Sequence, residues 1–335
     1  MPDPLSAEFR KFWSAVDRES DFILTTHVNP DGDGIGSELG LAQALRQLGK
    51  RATILNHNDT PENYRWLDPA GHVTRYNEER DRAGILEAGV IVVLDTNQPS
   101  RLRSLEEPVR KSAALKIVID HHLEPDGFAD QYVIDERATS TGEILYRLLG
   151  DRGGLVIDPA MARALYTAMM TDTGSFRYPR TDGETLRIAA ELLDRGADPT
   201  EAFVNVYENW TAGRLRLLGE ALGSMKTACG GRIAYIVCTR TMFEETGTSE
   251  VETDNFTAFP MSIRGVTIGI LFNELPDGVK ISFRSKGSIP INELAKEFGG
   301  NGHLNAAGAR LFNTGIDGVV RDVIGKAVLY AGTCA

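Results

Sequence analysis

No apolar run in this chain approaches the roughly 18 residues that a membrane-spanning helix requires, although 42% of its 335 residues are hydrophobic. Cysteine is scarce: Cys229, Cys238 and Cys334 are the only three, and none stands in a C-x-x-C pair. So sparse and odd a set builds no disulfide framework and points to a reducing compartment. A basic surface is missing too. Lys and Arg number 36 against 47 Asp and Glu, for a formal net charge of -11. Such a chain has no electrostatic means of gripping long nucleic acid without regard to sequence. Any nucleotide chemistry is therefore expected on short substrates or in a small basic pocket. The opening stretch, MPDPLSAEFRKFW, has no basic segment followed by an apolar one. No secretory signal is expected, and the cytoplasm is the expected compartment. Internal repeats, low-complexity tracts and heptads are also lacking.

What is present fits two ordinary globular domains, since domains run roughly 100–200 residues each. In the first half, short apolar runs alternate with amphipathic segments. Asp21–His27, Ala52–Leu55, Gly89–Asp95 and Leu115–Asp120 read as strands. Gly36–Leu48, Gly142–Leu149, Pro159–Met170 and Glu184–Arg195 read as helices. Runs such as Val90-Ile91-Val92-Val93-Leu94, without polar alternation, are what a parallel sheet buried on both faces requires. The fold class expected is α/β, in two domains: a mainly parallel sheet with flanking helices over residues 1–196, and a smaller α/β domain over 214–335, with 197–213 as linker. In the second half a helix is expected over Arg214–Thr227, strands over Arg232–Val237, Val266–Phe272 and Lys280–Ser285, and a helix over Pro290–Phe298.

Four segments of the first half carry carboxylates or imidazoles at or just past the end of a strand or helix. Ligands of open α/β sheets collect at the carboxyl ends of the strands, so these segments can converge. His27-Val28-Asn29-Pro30-Asp31-Gly32-Asp33 ends the first strand. Asp31 and Asp33 sit two apart in a Gly/Pro-rich turn, where each can serve a different ion, or where one merely caps a helix. Asp95 closes the second apolar run. Asp120-His121-His122 closes the third, and two adjacent imidazoles suit two roles, one ligand and one acid or phosphate contact. Asp172, in Thr171-Asp172-Thr173-Gly174-Ser175, ends a helix, where a carboxylate is disfavoured unless a cation compensates it. His27, Asp31, Asp33, Asp95, His121 and Asp172 together offer two imidazoles and four carboxylates. That donor set favours Mn²⁺ or Mg²⁺, with Co²⁺ or Zn²⁺ admissible. Six ligands suffice for two divalent ions sharing one carboxylate, and a pair about 3.5–4 Å apart suits in-line phosphoryl hydrolysis.

These segments, in this order, resemble the DHH phosphoesterase superfamily. The stretch Gly299-Gly300-Asn301-Gly302-His303-Leu304-Asn305-Ala306-Ala307-Gly308 resembles the glycine-rich signature of its accessory DHHA1 domain. Within the superfamily the layout is similar to the bacterial bifunctional oligoribonuclease (nanoRNase) and PAP phosphatase group. The resemblance implies a manganese-dependent hydrolase that releases nucleoside monophosphates from very short RNA and removes the 3′-phosphate of adenosine 3′,5′-bisphosphate. In some members it implies cleavage of cyclic or linear dinucleotides. Carried over by position, His27, Asp31 and Asp95 would hold one ion. Asp33, His121 and Asp172 would hold the other, with Asp95 bridging. Asp120 would orient a ligand histidine, and His122 would touch the scissile phosphate or protonate the leaving oxygen. Arg284, Ser285, Gly300, Gly302 and His303 would bind the substrate's other phosphate. The signature's usual third glycine is replaced by Asn301, a residue that tolerates left-handed backbone.

Chemistry alone leaves Arg284 open as an exposed ion-pair residue and His303 as a cap before a helix-like Asn305-Ala306-Ala307. His57 and His72 lack a comparable setting, and Trp13, Trp66 and Trp210 read as packing residues. Partners are expected to be short RNA or small nucleotides, with no long nucleic acid and no membrane, and a homodimer is left open. Family II pyrophosphatases and exopolyphosphatases share the metal motifs but not the glycine-rich signature. A catalytically silent nucleotide sensor remains the alternative of a different class.

Overall fold

The computed structural model describes residues 5–332, apart from the side chain of His303; Cys334 lies outside the described residues. By its contacts the chain divides into two units, Met1–Asn209 and Trp210–Ala335. The stretch 197–213 carries the helix Pro199–Tyr207.

The first unit runs α1 (Ser6–Arg18), β1 (Asp21–Thr25), α2 (Gly32–Gln47), β2 (Arg51–Asn56), β3 (Val73–Arg75), α3 (Glu78–Glu87), β4 (Val90–Leu94), α4 (Glu106–Lys111), β5 (Leu115–Asp120), β6 (Gln131–Ile134), α5 (Thr141–Asp151), α6 (Pro159–Asp172), α7 (Gly183–Asp194) and α8 (Pro199–Tyr207). Its sheet has the order β3-β2-β1-β4-β5-β6, and every pairing is parallel. All five residues of β4 are buried. Val90, Val92 and Leu94 point into one hydrophobic layer, and Ile91 and Val93 into the other. Each such side chain contributes about 1.5–3 kcal/mol of transfer free energy, which is why the run shows no polar alternation. From β1 the chain builds outward to β2 and β3, then returns to the other side of β1 to start β4. The carboxyl ends of β1 and β4 therefore flank a topological switch point, where the loops diverge and leave a crevice.

Helix α2 begins four residues earlier than the apolar pattern suggests. The Asp31 carboxylate accepts hydrogen bonds from the N–H groups of Asp33 and Gly34, 3.1 Å each, and caps the first turn. The helix packs closely on α6. A Cβ on Gly36 would lie 2.3 Å from the Ala164 carbonyl oxygen, one on Gly32 2.5 Å from Thr171 Oγ1, and one on Gly40 2.9 Å from a Leu165 methyl. Three glycines at four-residue spacing form the groove that admits α6, and so fix Asp33 relative to Asp172. Gly36→Val is expected to cost about 1–3 kcal/mol by overpacking. It would be read as a lower urea midpoint, and an unchanged midpoint would mean that the helices separate freely.

The second unit contains α9 (Ala212–Gly223), β7 (Lys226–Ala228), β8 (Ile233–Cys238), α10 (Arg240–Thr246), α11 (Ala258–Met261), β9 (Ile268–Leu275), β10 (Gly278–Ser285), α12 (Ile291–Lys296), β11 (Asn301–His303), β12 (Ala306–Phe312) and α13 (Ile316–Tyr330). The sheet order is β11-β12-β10-β9-β8-β7. Among the described residues only β8 and β9 pair in parallel; the other pairings are antiparallel, so this sheet is mixed. Two local expectations are corrected. The helix expected to reach Thr227 stops at Gly223, and β7 follows it. The stretch expected to turn helical at Asn305-Ala306-Ala307 is instead strand, with Gly302 opposite Ala307 and His303 opposite Ala306. Alanine's helix preference is outweighed by pairing with β10 on the other edge. Among the described residues no helix is long and apolar enough to cross a membrane.

Candidate metal centre

The switch point gathers the four segments. His27 lies two residues past β1, Asp31 caps α2, Asp33 stands in its first turn, Asp95 follows β4, Asp120 ends β5, and Asp172 ends α6. Their side-chain donors fall into overlapping groups: His27, Asp31 and Asp95; Asp33, His121 and Asp172; and Asp95, Asp120, His121 and His122. His27 Nε2 is 3.2 Å from Asp95 Oδ2 and 3.8 Å from Asp31 Oδ1. His121 Nε2 is 3.2 Å from Asp172 Oδ2, 3.6 Å from Asp95 Oδ1 and 3.7 Å from Asp33 Oδ2. Asp95 thus faces both imidazoles, one with each oxygen. Its backbone is left-handed, φ 59°, a conformation Asp adopts more readily than most residues.

Elements around the cluster hold its members. The backbone N–H groups of Thr141 and Gly142, at the start of α5, donate to the two Asp33 oxygens at 2.7 and 2.9 Å. A helix N-terminus favours negative charge. His27 Nδ1 lies 2.9 Å from the Val28 carbonyl, and His121 Nδ1 lies 3.3 Å from that of Ala138, so each ring turns Nε2 toward the carboxylates. Asp120 Oδ1 accepts from His122 Nδ1 at 2.7 Å and from the N–H groups of His121 and His122. The sequence suggested that Asp120 would orient a ligand histidine. It holds His122 instead, because His121 turns its outer nitrogen to the Ala138 carbonyl.

Thr141 and Gly142 were not legible as site residues, although Ser140 and Glu143 show the Ser-x-x-Glu spacing of a helix start. Glu38 and Asn56 were missed as well. Fully buried Glu38 accepts from Asn56 Nδ2 at 2.8 Å, and Asn56 Oδ1 accepts from the Thr26 N–H at 3.2 Å, which ties the end of β1 to β2. Nothing in their spacing marks them. His57 bonds Ser104 and His72 bonds Asp68; neither belongs to the cluster.

The electrostatics are those of a cation-binding site. Burial works against the charged form of His27, but the carboxylates of Asp31 and Asp95 outweigh it and push its pKa up to about 10. His121 is likewise held at about 10, against burial, by Asp95, Asp33 and Asp172. Burial, together with the charges of Asp95 and Asp31, lifts Asp172 to about 7. Burial also raises Asp33, reinforced by Asp95 and Asp172. Asp95 is held low, the two imidazoles overcoming its burial. His121 Nε2 is buried without a hydrogen bond while three carboxylates face it. A divalent ion among these donors would satisfy it, so the residues fit a metal.

The protons on His27 and His121 must leave when metal binds. Metal affinity is therefore expected to climb with pH by at least ~100-fold per unit near neutrality, the slope of the two imidazole protons, and more steeply where Asp172 must also give up a proton. Titration calorimetry in buffers of different ionisation enthalpy counts them, and release of none would contradict this charge state. Because both folded values lie above the ordinary 6.5, the stability they lend is complete below that value. It is lost as pH rises through about 10. Asp172 is raised too and is lost earlier, through about 7. The metal-free protein should weaken progressively from about pH 4 to 10.

In the second unit, Arg284 lies on β10 opposite Ala306 and is part-buried, with one guanidinium nitrogen 3.1 Å from the Phe283 carbonyl. The Ser285 hydroxyl is engaged within the fold: it donates to the Ile289 carbonyl at 2.8 Å and accepts from Asn305 Nδ2 at 2.9 Å. Gly300 and Gly302 are demanded by packing, since a Cβ would meet the Gly308 carbonyl oxygen at 2.2 Å or that of Ala306 at 2.4 Å. Asn301 is not among the left-handed residues; its Oδ1 accepts from the Gly302 N–H at 2.8 Å. The glycine-rich stretch is a tight hairpin strand and not the lead into a helix. The side chain of His303 lies outside what is described.

Comparison with known proteins agrees with this chemistry. The sequence matches the DHH family, N-terminal domain, over residues 21–169, and the DHHA1 domain over residues 230–326. It is 33% identical to the bifunctional oligoribonuclease and PAP phosphatase NrnA of Thermus thermophilus, over 89% of this chain and 86% of that protein. It is 30% identical to the protein of the same name from Bacillus subtilis, over 87% and 89%. The crystal structure of an exopolyphosphatase-related protein from Bacteroides fragilis superposes with a TM-score of 0.91 at 33% identity, over 96% of both chains. The chain belongs to the DHH phosphoesterase family. It is a hydrolase acting on phosphate ester bonds.

Proposed function

We propose that this protein hydrolyses short RNA oligonucleotides to nucleoside monophosphates and removes the 3′-phosphate of adenosine 3′,5′-bisphosphate, acting in the cytoplasm. The observation that carries it is the pair of donor clusters meeting at Asp95, on a chain that is a third identical to a protein named for both activities. His27, Asp31 and Asp95 would hold one ion, and Asp33, Asp95, His121 and Asp172 the other, with manganese the expected metal. When bound, such ions make a water nucleophilic at neutral pH and neutralise charge on the phosphoryl oxygens.

The chain's own residues supply the rest. The start of α5 fixes Asp33 through two backbone N–H groups, so this carboxylate cannot swing when substrate charge arrives. Asp120 commits His122 Nδ1, so a proton passed to the leaving oxygen travels through Nε2. Recognition of the substrate's other phosphate is assigned to Arg284 and His303 in the second unit. With its hydroxyl bonded internally, Ser285 serves there by holding Asn305 and the hairpin.

The test is product release from a 5′-labelled RNA dinucleotide, adenosine 3′,5′-bisphosphate, linear and cyclic dinucleotides, and pyrophosphate, each with Mn²⁺ and with chelator. Metal-dependent turnover of the RNA dinucleotide and the bisphosphate is expected, with pyrophosphate inert. Turnover confined to signalling dinucleotides would shift the substrate class. Binding without turnover of any of them would make the protein a sensor.

A further inference from the structure

The turn that follows Asp172 is not used by the metal cluster, yet it is built with unusual care. Gly174, Ser175 and Phe176 are successive residues with positive φ, 56°, 60° and 61°, a run that non-glycine residues adopt only when surrounding contacts impose it. Thr173 imposes it here. Its carbonyl accepts from the N–H groups of Arg177 and Tyr178 at 3.0 Å each, and its hydroxyl accepts from the Phe176 N–H at 2.9 Å. The Phe176 ring is turned inward against Tyr166, centroids 5.7 Å apart.

The result of this anchoring is that Tyr178 is laid over Gly174. A Cβ on that glycine would stand 2.5 Å from two of the Tyr178 ring carbons. The ring rests on backbone two residues from a proposed metal ligand and is still 53% exposed. Exposed Arg177 and Arg180 flank it. Arg177 spends Nε on the Gly174 carbonyl at 2.6 Å, and among the described residues neither arginine makes an ion pair. In a chain of net charge -11, an open aromatic ring between two unpaired guanidinium groups, at the rim of a phosphoester-cleaving centre, matches the make-up of a single-stranded nucleotide subsite. Aromatic faces stack on bases, and cations track phosphate. The three tryptophans are engaged elsewhere: Trp13 is buried, Trp66 is half-buried against the hydrophobic core, and Trp210 is covered by Arg214, 4.2 Å from its ring centroid.

We propose that the Arg177–Arg180 turn is the nucleobase subsite of this enzyme, with Tyr178 as the stacking platform for a base of the bound nucleotide. This deepens the nucleotide reading above and rests on it. Tyr178 acts as a specificity residue, lowering KM for substrates that carry a base without taking part in bond cleavage.

The experiment compares an RNA dinucleotide with its abasic counterpart in the manganese-loaded enzyme, for the wild type, Tyr178→Ala and Tyr178→Phe. The wild type should show a lower KM for the base-bearing substrate. Tyr178→Ala should shrink that advantage by roughly 10-fold, while Tyr178→Phe, which keeps the ring, retains it. Metal content and thermal midpoint of each variant confirm that the turn still folds. An unchanged advantage in Tyr178→Ala, or an equal loss in Tyr178→Phe, would overturn the stacking role. Should the wild type turn over neither substrate, or favour neither, the subsite falls as well. Inertness toward both would also remove the nucleotide reading, whereas equal turnover would leave that reading standing.

Discussion

Asp95→Ala is expected to lose turnover by on the order of 10²–10³-fold or more, the scale of removing a group that stabilises transition-state charge, and to bind fewer metal ions. No other residue combines its features. It is buried, its two oxygens face the two imidazoles separately, at 3.2 Å and 3.6 Å, and it belongs to two of the candidate donor groups. Removing it would leave His27 and His121 without the carboxylate that holds both. Their protonation would then become easier to reverse, so each pKa should fall. Metal analysis by mass spectrometry, beside kcat and KM on an RNA dinucleotide, checks this. A loss of ~10-fold or less with full metal content would contradict a shared ligand, because the bridge would then be dispensable.

His122→Ala is expected to cost about 10²–10⁴-fold in kcat on nucleotide substrates, the usual worth of a positioned proton donor. The loss should depend on the leaving group. A ribose oxygen needs a proton as its bond to phosphorus breaks, whereas p-nitrophenolate does not. On a p-nitrophenyl phosphoester the same variant should therefore lose much less. Asp120→Asn should fall between the wild type and His122→Ala, since the amide can still meet His122 Nδ1 but no longer fixes which nitrogen carries the proton. Equal losses on both leaving groups would assign His122 to the metals or to packing.

Much of this was legible because the chemistry sits where buried strands end. An apolar run such as Val90–Leu94 can only lie inside a parallel sheet, so the polar residue that closes it is delivered to the carboxyl edge. His27, Asp95 and Asp120 follow from that alone. What stayed hidden depends on contacts remote in sequence. The partners of Asp33 lie at Thr141 and Gly142, and no local pattern joins them. Asp120 reaches His122 and not His121 because of a carbonyl at Ala138. Asn305-Ala306-Ala307 misled because small residues favour helix in isolation, while here they allow strands to approach closely at Gly300 and Gly302. Tyr178 carries no mark in the sequence; it is the left-handed run from Gly174 to Phe176 that places its ring.

The strand order has a kinetic consequence. The donors come from the end of β1 and the start of α2, from β4 and β5, which the chain reaches only after building β2 and β3 on the other side of β1, and from α6, which follows β6 and α5 in the chain. No hairpin or local turn can assemble even one cluster, and parallel pairings between distant segments close slowly. In refolding, metal uptake should therefore appear as a late event, coincident with the last recovery of native signal. For the same reason, metal bound at the centre opposes opening of the entire sheet and not of one loop. Manganese should slow hydrogen exchange most at the amides of β1, β4 and β5, which exchange only when the whole unit unfolds.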